Sequence, residues 1–162
     1  PFFCYLAHHA IHTPLQASDE TLAKFKAKTP VQQHVNPLYA ACTYDFDASV
    51  GMLMSKLEEL GLEQNTLVVF TSDNGATQQS SQEPLRGSKG GYYEGGIREP
   101  FIVRWPAVVK ADGRCDVPVI NVDLFPTFLA AAGVPAPAGK VLDGESLMPL
   151  LTGEGKLKRS AI

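Results

Sequence analysis

The apolar run from Thr66 to Thr71 constrains the fold most, because its residues, TLVVFT, show no alternation of apolar and polar positions. A half-exposed strand alternates, whereas a parallel strand covered on both faces does not. The preceding segment, Asn36 to Gly61, carries apolar residues at steps of three and four and is long enough to be a crossover helix. The run therefore predicts an α/β fold with a mostly parallel sheet flanked by helices.

Further segments of the chain also have the pattern of regular elements. Two of them are apolar and predict strands, and the others predict helices from their caps and apolar spacing. In chain order they are Pro1 to Ala7 (strand), Ser18 to about Lys28 (helix), Phe101 to Trp105 (strand), Asn121 to Gly133 (helix) and Ser146 to Leu151 (helix). Strands and helices thus alternate, as an α/β fold requires.

Length and composition are those of an ordinary globular domain. The 162 residues are 44% hydrophobic and 19% charged, with a net charge of -3, so neither a nucleic-acid partner nor a disordered tail is indicated. No apolar run approaches the roughly 20 residues that span a bilayer. We predict a single, partial domain over residues 1–162, because a strand is already under way at Pro1 and the final KRSAI closes no element.

The three cysteines do not form a recognisable covalent or metal framework. Cys4, Cys42 and Cys115 are odd in number and include no CxxC pair, which argues against a disulfide scaffold or a thiolate zinc site. Cys4 and Cys42 lie in apolar patterns. We therefore predict that both belong to the core.

Residues with oxygen-bearing side chains follow directly after the apolar run, where the chain reads Ser72-Asp73-Asn74-Gly75. Ligands of open α/β sheets gather at the carboxyl ends of strands. Carboxylate and amide oxygens favour hard cations such as calcium or magnesium. The alternative is that Asp-Asn-Gly merely forms a tight turn, since these are common turn residues.

Two cationic candidates accompany these oxygens. Lys89 lies in a glycine-rich loop suited to close approach of a ligand, although most loop lysines are simply solvated. His12, in HHAIHTP, follows the first predicted strand, and a histidine can donate to an anion or transfer a proton. His8 and His9 are weaker candidates. Together the three histidines would also permit a transition metal, with zinc the lesser option because no HExxH helix is present.

Four collinear segments resemble the type I sulfatases, and in particular arylsulfatase A and N-acetylgalactosamine-6-sulfatase. The resemblance covers nearly the whole chain and includes the motifs HTP, SDNG, a GKG-like loop and YEGG-x-R. The segments are residues 1–17, 39–75, 86–106 and 123–153.

The resemblance implies an alkaline-phosphatase-like fold and hydrolysis of the sulfate ester of an aryl group or sugar, with one bound calcium ion. By position in the motifs, it implies that Asp73 and Asn74 are calcium ligands. It also implies that Lys89 and His12 contact the sulfate and take part in catalysis. Glu94 and Arg98 would form a buried pair that orients the loop, while Asp47 and Gly51 match the family without an assigned role.

The chain departs from the family pattern in one respect that matters for activity. It contains no C/S-x-P-x-R motif, whose Cys or Ser becomes the formylglycine nucleophile, and no second pair of aspartates for calcium. We therefore expect the calcium site to be incomplete in these 162 residues and the fragment to be inactive alone. The alternatives are a non-catalytic module that binds sulfated glycans, or a phosphoesterase or phosphonate hydrolase of the same superfamily.

The resemblance also implies partners and a location. The expected ligand is a sulfated small molecule or glycan, and a periplasmic, secreted or lysosomal location is expected.

Overall fold

The computed structural model describes residues 1–31, 34–77 and 79–159. Its contacts form two compact units, Pro1–Gly61 with Phe70–Phe101, and Leu62–Val69 with Ile102–Ile162. A single domain over residues 1–162 stays a prediction, and the last three residues of KRSAI lie outside the described part of the chain.

Helices α1 (Asp19–Lys26) and α2 (Pro37–Glu59) of the first unit begin at the predicted caps. The Ser18 hydroxyl accepts a hydrogen bond from a backbone N–H of the first turn of α1 at 3.2 Å. The Asn36 side chain accepts two backbone N–H groups of α2, at 3.0 and 3.2 Å. Gly61 follows α2 with a φ of 65°, the left-handed conformation that ends many helices. Both predicted helices are confirmed.

The carboxylate of Asp45 fastens α1 to α2. It accepts hydrogen bonds from Ser18 N at 2.8 Å and from Thr21 Oγ1 at 2.7 Å. Both bonds lower the pKa of the Asp45 carboxyl, and the bond from Ser18 N–H has the larger effect. On α2, the buried side chains are Ala41, Cys42 and Leu57. The core position predicted for Cys42 is confirmed.

Strands β1 (Val68–Thr71) and β2 (Phe101–Arg104) pair in a two-stranded sheet. Both lie within segments predicted to be strands. All four residues of β1 are only half-buried, and Ile102 of β2 is 60% exposed. Within the described residues the sheet is therefore small, and the full cover expected for a central parallel strand is not observed.

The prediction of a buried strand from Pro1 to Ala7 is wrong. This segment has no regular secondary structure and is exposed throughout, with Phe3 72% and Tyr5 84% exposed. Cys4 is exposed too, so its predicted place in the core is also wrong. The physical reason is that a strand needs a neighbouring strand for its backbone groups and a covering layer for its side chains.

The second unit contains short helices. A 3-10 turn spans Glu63–Asn65, and another, Asn121–Asp123, leads into helix α4 (Leu124–Ala131). The prediction that Asn121 caps this helix is wrong, since Asn121 lies inside the 3-10 turn and α4 follows Asp123, whose side chain makes no cap hydrogen bond. Gly133 ends α4 as predicted, with a φ of 66°. The predicted final helix is shorter than expected, Met148–Leu151; we number it α5, after the one-turn helix α3 (Glu94–Ile97) of the first unit.

A buried ionic network that the sequence did not reveal organises the second unit. The side chain of Asp123 is fully buried and binds both terminal nitrogens of Arg159, at 2.5 and 2.6 Å. It also accepts Glu145 N–H at 2.9 Å. Thr127 Oγ1 donates to the Asp123 carbonyl at 2.6 Å and accepts Leu147 N–H at 2.8 Å. The network therefore connects residues that lie up to 36 positions apart.

Candidate active site

Asp73 and Asn74 lie just beyond the end of β1, where the sequence predicted a ligand site. Asn74 Nδ2 donates to Asp73 Oδ2 at 2.7 Å, so the two side chains are adjacent. Asp73 is exposed and Asn74 is half-buried. The chain also bends at Asp73 and Asn74. A tight turn and a pair of metal ligands, which the sequence left as alternatives, are therefore compatible.

Gly75 fixes this turn against helix α3. Its φ is 76°, and a Cβ placed on it would lie 2.9 Å from both Gly95 O and Gly96 Cα. No larger residue fits such close backbone contact. The turn that carries Asp73 and Asn74 is thus packed against α3.

The backbone of Lys89 is bonded directly to the chain that follows this turn. Lys89 N–H donates to Ala76 O at 3.0 Å. Gly95 N–H donates to Arg86 O at 2.8 Å, which closes the loop onto the start of α3. The Lys89 residue is half-buried rather than fully solvated. The backbone of Lys89 is therefore bonded to the chain two residues after Asn74.

Replacing Gly96 with alanine is expected to disrupt this loop and lower the free energy of unfolding by about 1–3 kcal/mol. The added Cβ would lie 2.4 Å from Gly91 O and 2.5 Å from Ser88 O, and backbone atoms cannot rotate away. Denaturant unfolding of the intact protein measures the change. Gly51→Ala in α2 is the matched control, because nothing lies within 4 Å of its Cβ and it should be neutral or stabilising. Equal stability of Gly96→Ala and wild type would contradict the packing.

The predicted role of Glu94 and Arg98 is corrected by the structure. Their side chains are 3.7 Å apart but each is 62% exposed, so they are not a buried pair. An exposed pair of this kind contributes little. The loop is braced instead by Arg86, whose guanidinium carbon lies 3.8 Å from the ring centroid of Tyr93.

His12 lies on a separate loop and is exposed. Its Nδ1 is 2.8 Å from Thr13 O, and its ring centroid is 5.9 Å from that of His9. With Nδ1 as the donor to the carbonyl, Nε2 is the nitrogen that can face an anion. Within the described residues, no hydrogen bond joins His12 to Asp73, Asn74 or Lys89.

A chain of aromatic rings connects the histidine loop to the sheet. The ring of His8 lies 4.7 Å from that of Phe46 on α2, and Phe46 lies 6.0 Å from Phe70 of β1. Phe70 is three residues before Asp73. His8 thus packs on α2, which agrees with the prediction that it is a weaker candidate for ligand binding than His12.

The donor chemistry of Asp73 and Asn74 fits part of a calcium site. Both offer oxygen atoms, and one anionic and one neutral ligand limit the negative charge near an anionic substrate. Two side chains fall short of the six to eight oxygens that calcium takes. Among the described residues, no group of three or more His, Cys, Asp or Glu side chains could hold a metal ion.

The comparisons with known proteins decide the family. The Sulfatase family model matches residues 1–134. The chain belongs to the sulfatase family. This sulfatase chain is 40% identical to human arylsulfatase A over all of its length, 39% identical to human steryl-sulfatase over 99%, and 37% identical to dog N-acetylgalactosamine-6-sulfatase over 94%. It spans only 27–31% of the length of these relatives.

Solved structures confirm the fold class. The crystal structure of Ps i-CgsB in complex with k-i-k-neocarrahexaose matches 95% of the sulfatase chain, with a TM-score of 0.84 and 40% identity, over 34% of its own chain. The phosphonate monoester hydrolase from Silicibacter pomeroyi matches 76%, with a TM-score of 0.62 and 30% identity, over 23% of its own chain. The α/β fold is thus the alkaline-phosphatase-like fold of sulfatases, and the chain is part of such a domain.

Proposed function

We propose that the protein containing this sequence hydrolyses sulfate esters to an alcohol and inorganic sulfate, with Lys89 and His12 binding the sulfate. The observation that supports the proposal is the hydrogen bond from Lys89 N to Ala76 O, which links the loop of Lys89 to the segment just after Asn74. A sulfate ester is an anion, and a lysine in a loop bonded next to two oxygen-bearing side chains suits it.

Each residue has a distinct role in this reaction. Negative charge develops on the bridging oxygen as the S–O bond breaks, and the Lys89 ammonium would stabilise that charge. His12 Nε2, when protonated, would contact the sulfate or supply the proton that the departing alkoxide takes up. Asp73 and Asn74 would hold calcium, which when bound supplies Lewis-acid stabilisation of the sulfate oxygens.

The remaining machinery is proposed to lie in parts of the protein outside these 162 residues. Cys4, Cys42 and Cys115 are followed by Tyr-Leu-Ala-His, Thr-Tyr-Asp-Phe and Asp-Val-Pro-Val, so none fits C/S-x-P-x-R. We infer that a formylglycine nucleophile and the other calcium ligands come from elsewhere in the protein. The chain alone would then be inactive.

The reaction is tested with the intact protein on nitrophenyl sulfate and nitrophenyl phosphate. We expect faster turnover of the sulfate, and loss of activity when a chelator removes the metal, with recovery on adding calcium. Activity unaffected by chelation would contradict the calcium assignment. Faster turnover of the phosphate would contradict the sulfatase assignment.

A second candidate function is hydrolysis of phosphonate or phosphate esters. It is favoured by the similarity to the phosphonate monoester hydrolase and by the fact that the same oxygen ligands and lysine suit a phosphoryl group. The same pair of nitrophenyl substrates separates the two. Binding of a sulfated glycan without turnover would support the non-catalytic alternative.

A sulfated glycan is the proposed natural substrate, supported by the similarity to a protein solved with a neocarrahexaose. No helix in the described residues is long and apolar enough to cross a membrane. A periplasmic, secreted or lysosomal location stays a prediction.

A further inference from the structure

A cavity of about 550 Å³ lies in the first unit, beside the N-terminal part of α2. Its walls include three aromatic and three polar side chains to which the resemblance to sulfatases assigns no role. They are Phe25, Tyr39, Tyr44, Asn36, Asp47 and Gln79.

The cavity is built on a helix face that the apolar pattern of α2 leaves free. Tyr39 and Asp47 are eight residues apart on α2, so two steps of four place them along one stripe. Cys42 and Leu57, on the predicted apolar stripe, are buried. Tyr44 and Asp47, which line the cavity, are exposed within the described residues and can contact a ligand.

The aromatic wall is held in place before any ligand arrives. The rings of Phe25 and Tyr44 are 5.7 Å apart and inclined at 60°, an edge-to-face arrangement. Lys24 Nζ lies 3.8 Å from the Tyr44 ring centroid and Lys28 Nζ lies 4.8 Å from that of Phe25. The same lysines add positive charge near the aromatic wall, which favours an anionic glycan.

Polar groups among these aromatics indicate a hydroxylated ring. Asn36 Nδ2 donates to Gln79 Oε1 at 2.7 Å, so the other branch of the Gln79 amide is an NH2 donor. Asp47 is exposed and its carboxylate accepts hydrogen bonds. An aromatic surface with adjacent donors and acceptors matches the apolar face and the hydroxyl groups of a sugar, and suits a purely apolar ring less well.

The cavity is close to the proposed catalytic residues along the chain. Ala76 O bonds to Lys89 N, and Gln79, three residues later, lines the cavity. Three residues span at most about 11 Å even when fully extended. An oligosaccharide of a few units is long enough to reach from one place to the other.

We propose that this cavity is a glycan subsite, which binds a sugar ring of the substrate other than the one whose sulfate is cleaved. The inference rests on the proposed sulfatase function. Tyr39 and Tyr44 would contact the ring face, while Asp47 and Gln79 would bind its hydroxyls. The site would thereby select sulfated oligosaccharides over small aryl sulfates.

The test uses the intact protein with Tyr39→Ala, Tyr44→Ala and Gln79→Ala, the last a substitution in a loop outside α2. We expect each variant to lower kcat/KM for a sulfated oligosaccharide by roughly 3- to 10-fold, mainly through KM. Nitrophenyl sulfate is too small to reach the cavity, so its turnover should be unchanged. Tyr44→Phe keeps the ring and should behave as wild type.

The outcomes separate the subsite from the reaction. Equal losses on both substrates, or no loss on the oligosaccharide, would overturn the subsite. If the wild-type protein hydrolyses neither substrate, the proposed function fails, and calorimetry with the desulfated oligosaccharide then tests the subsite alone. Binding that Tyr44→Ala weakens would support it, and absence of binding to the wild type would overturn it.

Discussion

Replacing Lys89 with methionine is expected to lower kcat/KM of the intact protein for nitrophenyl sulfate by at least about 100-fold. Methionine keeps the length of the side chain but removes the cation that would stabilise the charge developing on the bridging oxygen. The anchoring bond to Ala76 O uses the backbone N–H of Lys89, so it survives the substitution. Steady-state kinetics with the purified variant measures the loss.

A matched control distinguishes this role from a general effect of charge. Lys110 is an exposed lysine of the second unit, and Lys110→Met should leave kcat/KM unchanged. The loss in Lys89→Met should appear in kcat as well as KM, because an interaction that strengthens in the transition state affects both. A change of less than about fivefold would refute the catalytic role of Lys89.

Replacing Arg159 with methionine is expected to lower the free energy of unfolding by about 3 kcal/mol. The Asp123 side chain is fully buried and would lose both guanidinium hydrogen bonds, leaving a buried carboxylate with only two backbone N–H donors. Denaturant unfolding at neutral pH measures the difference. Arg114→Met is the control, since Arg114 and Asp116 are 81% and 77% exposed and should contribute little.

The pH dependence of that loss tests its cause. Burial by itself would raise the pKa of Asp123, but the hydrogen bonds from Arg159 and from backbone N–H groups lower it below 3.8. A lowered pKa in the folded state means that the stabilisation is present above the unfolded value and is lost as the pH falls through the folded one. The destabilisation by Arg159→Met should therefore shrink below about pH 4. A pH-independent loss would point to packing alone.

Local chemistry in the sequence predicted the first two helices well. Ser18 and Asn36 are caps because a side-chain oxygen two or three residues before an N–H can satisfy it whatever the rest of the chain does. Asn121 is also a residue type that favours helix caps, but the prediction that it caps α4 is wrong. The helix α4 instead follows Asp123, whose carboxylate is bound by Arg159, 36 residues away, which no local pattern could show.

The candidate site likewise has features that the sequence predicted and features that depend on the tertiary structure. The position of Asp73 and Asn74 after a strand followed from the apolar run before them, and the structure confirms it. The bond from the Lys89 backbone to Ala76 O and the close contact of Gly75 with Gly95 and Gly96 are tertiary features that spacing in the sequence does not determine. The catalytic roles of His12, Lys89, Asp73 and Asn74 stay predictions until the kinetics are measured.

The sequence by itself determined the α/β class, the caps of α1 and α2, and the position of Asp73 and Asn74 after the apolar run, because these depend on residue type and short spacing. Only the tertiary structure decided that Pro1 to Ala7 is exposed, that Asp123 is bound by Arg159, and that aromatic side chains of α1 and α2 line a cavity. The physical reason is that burial and long-range hydrogen bonds depend on which distant segments meet, and the pattern within any one segment does not contain that information.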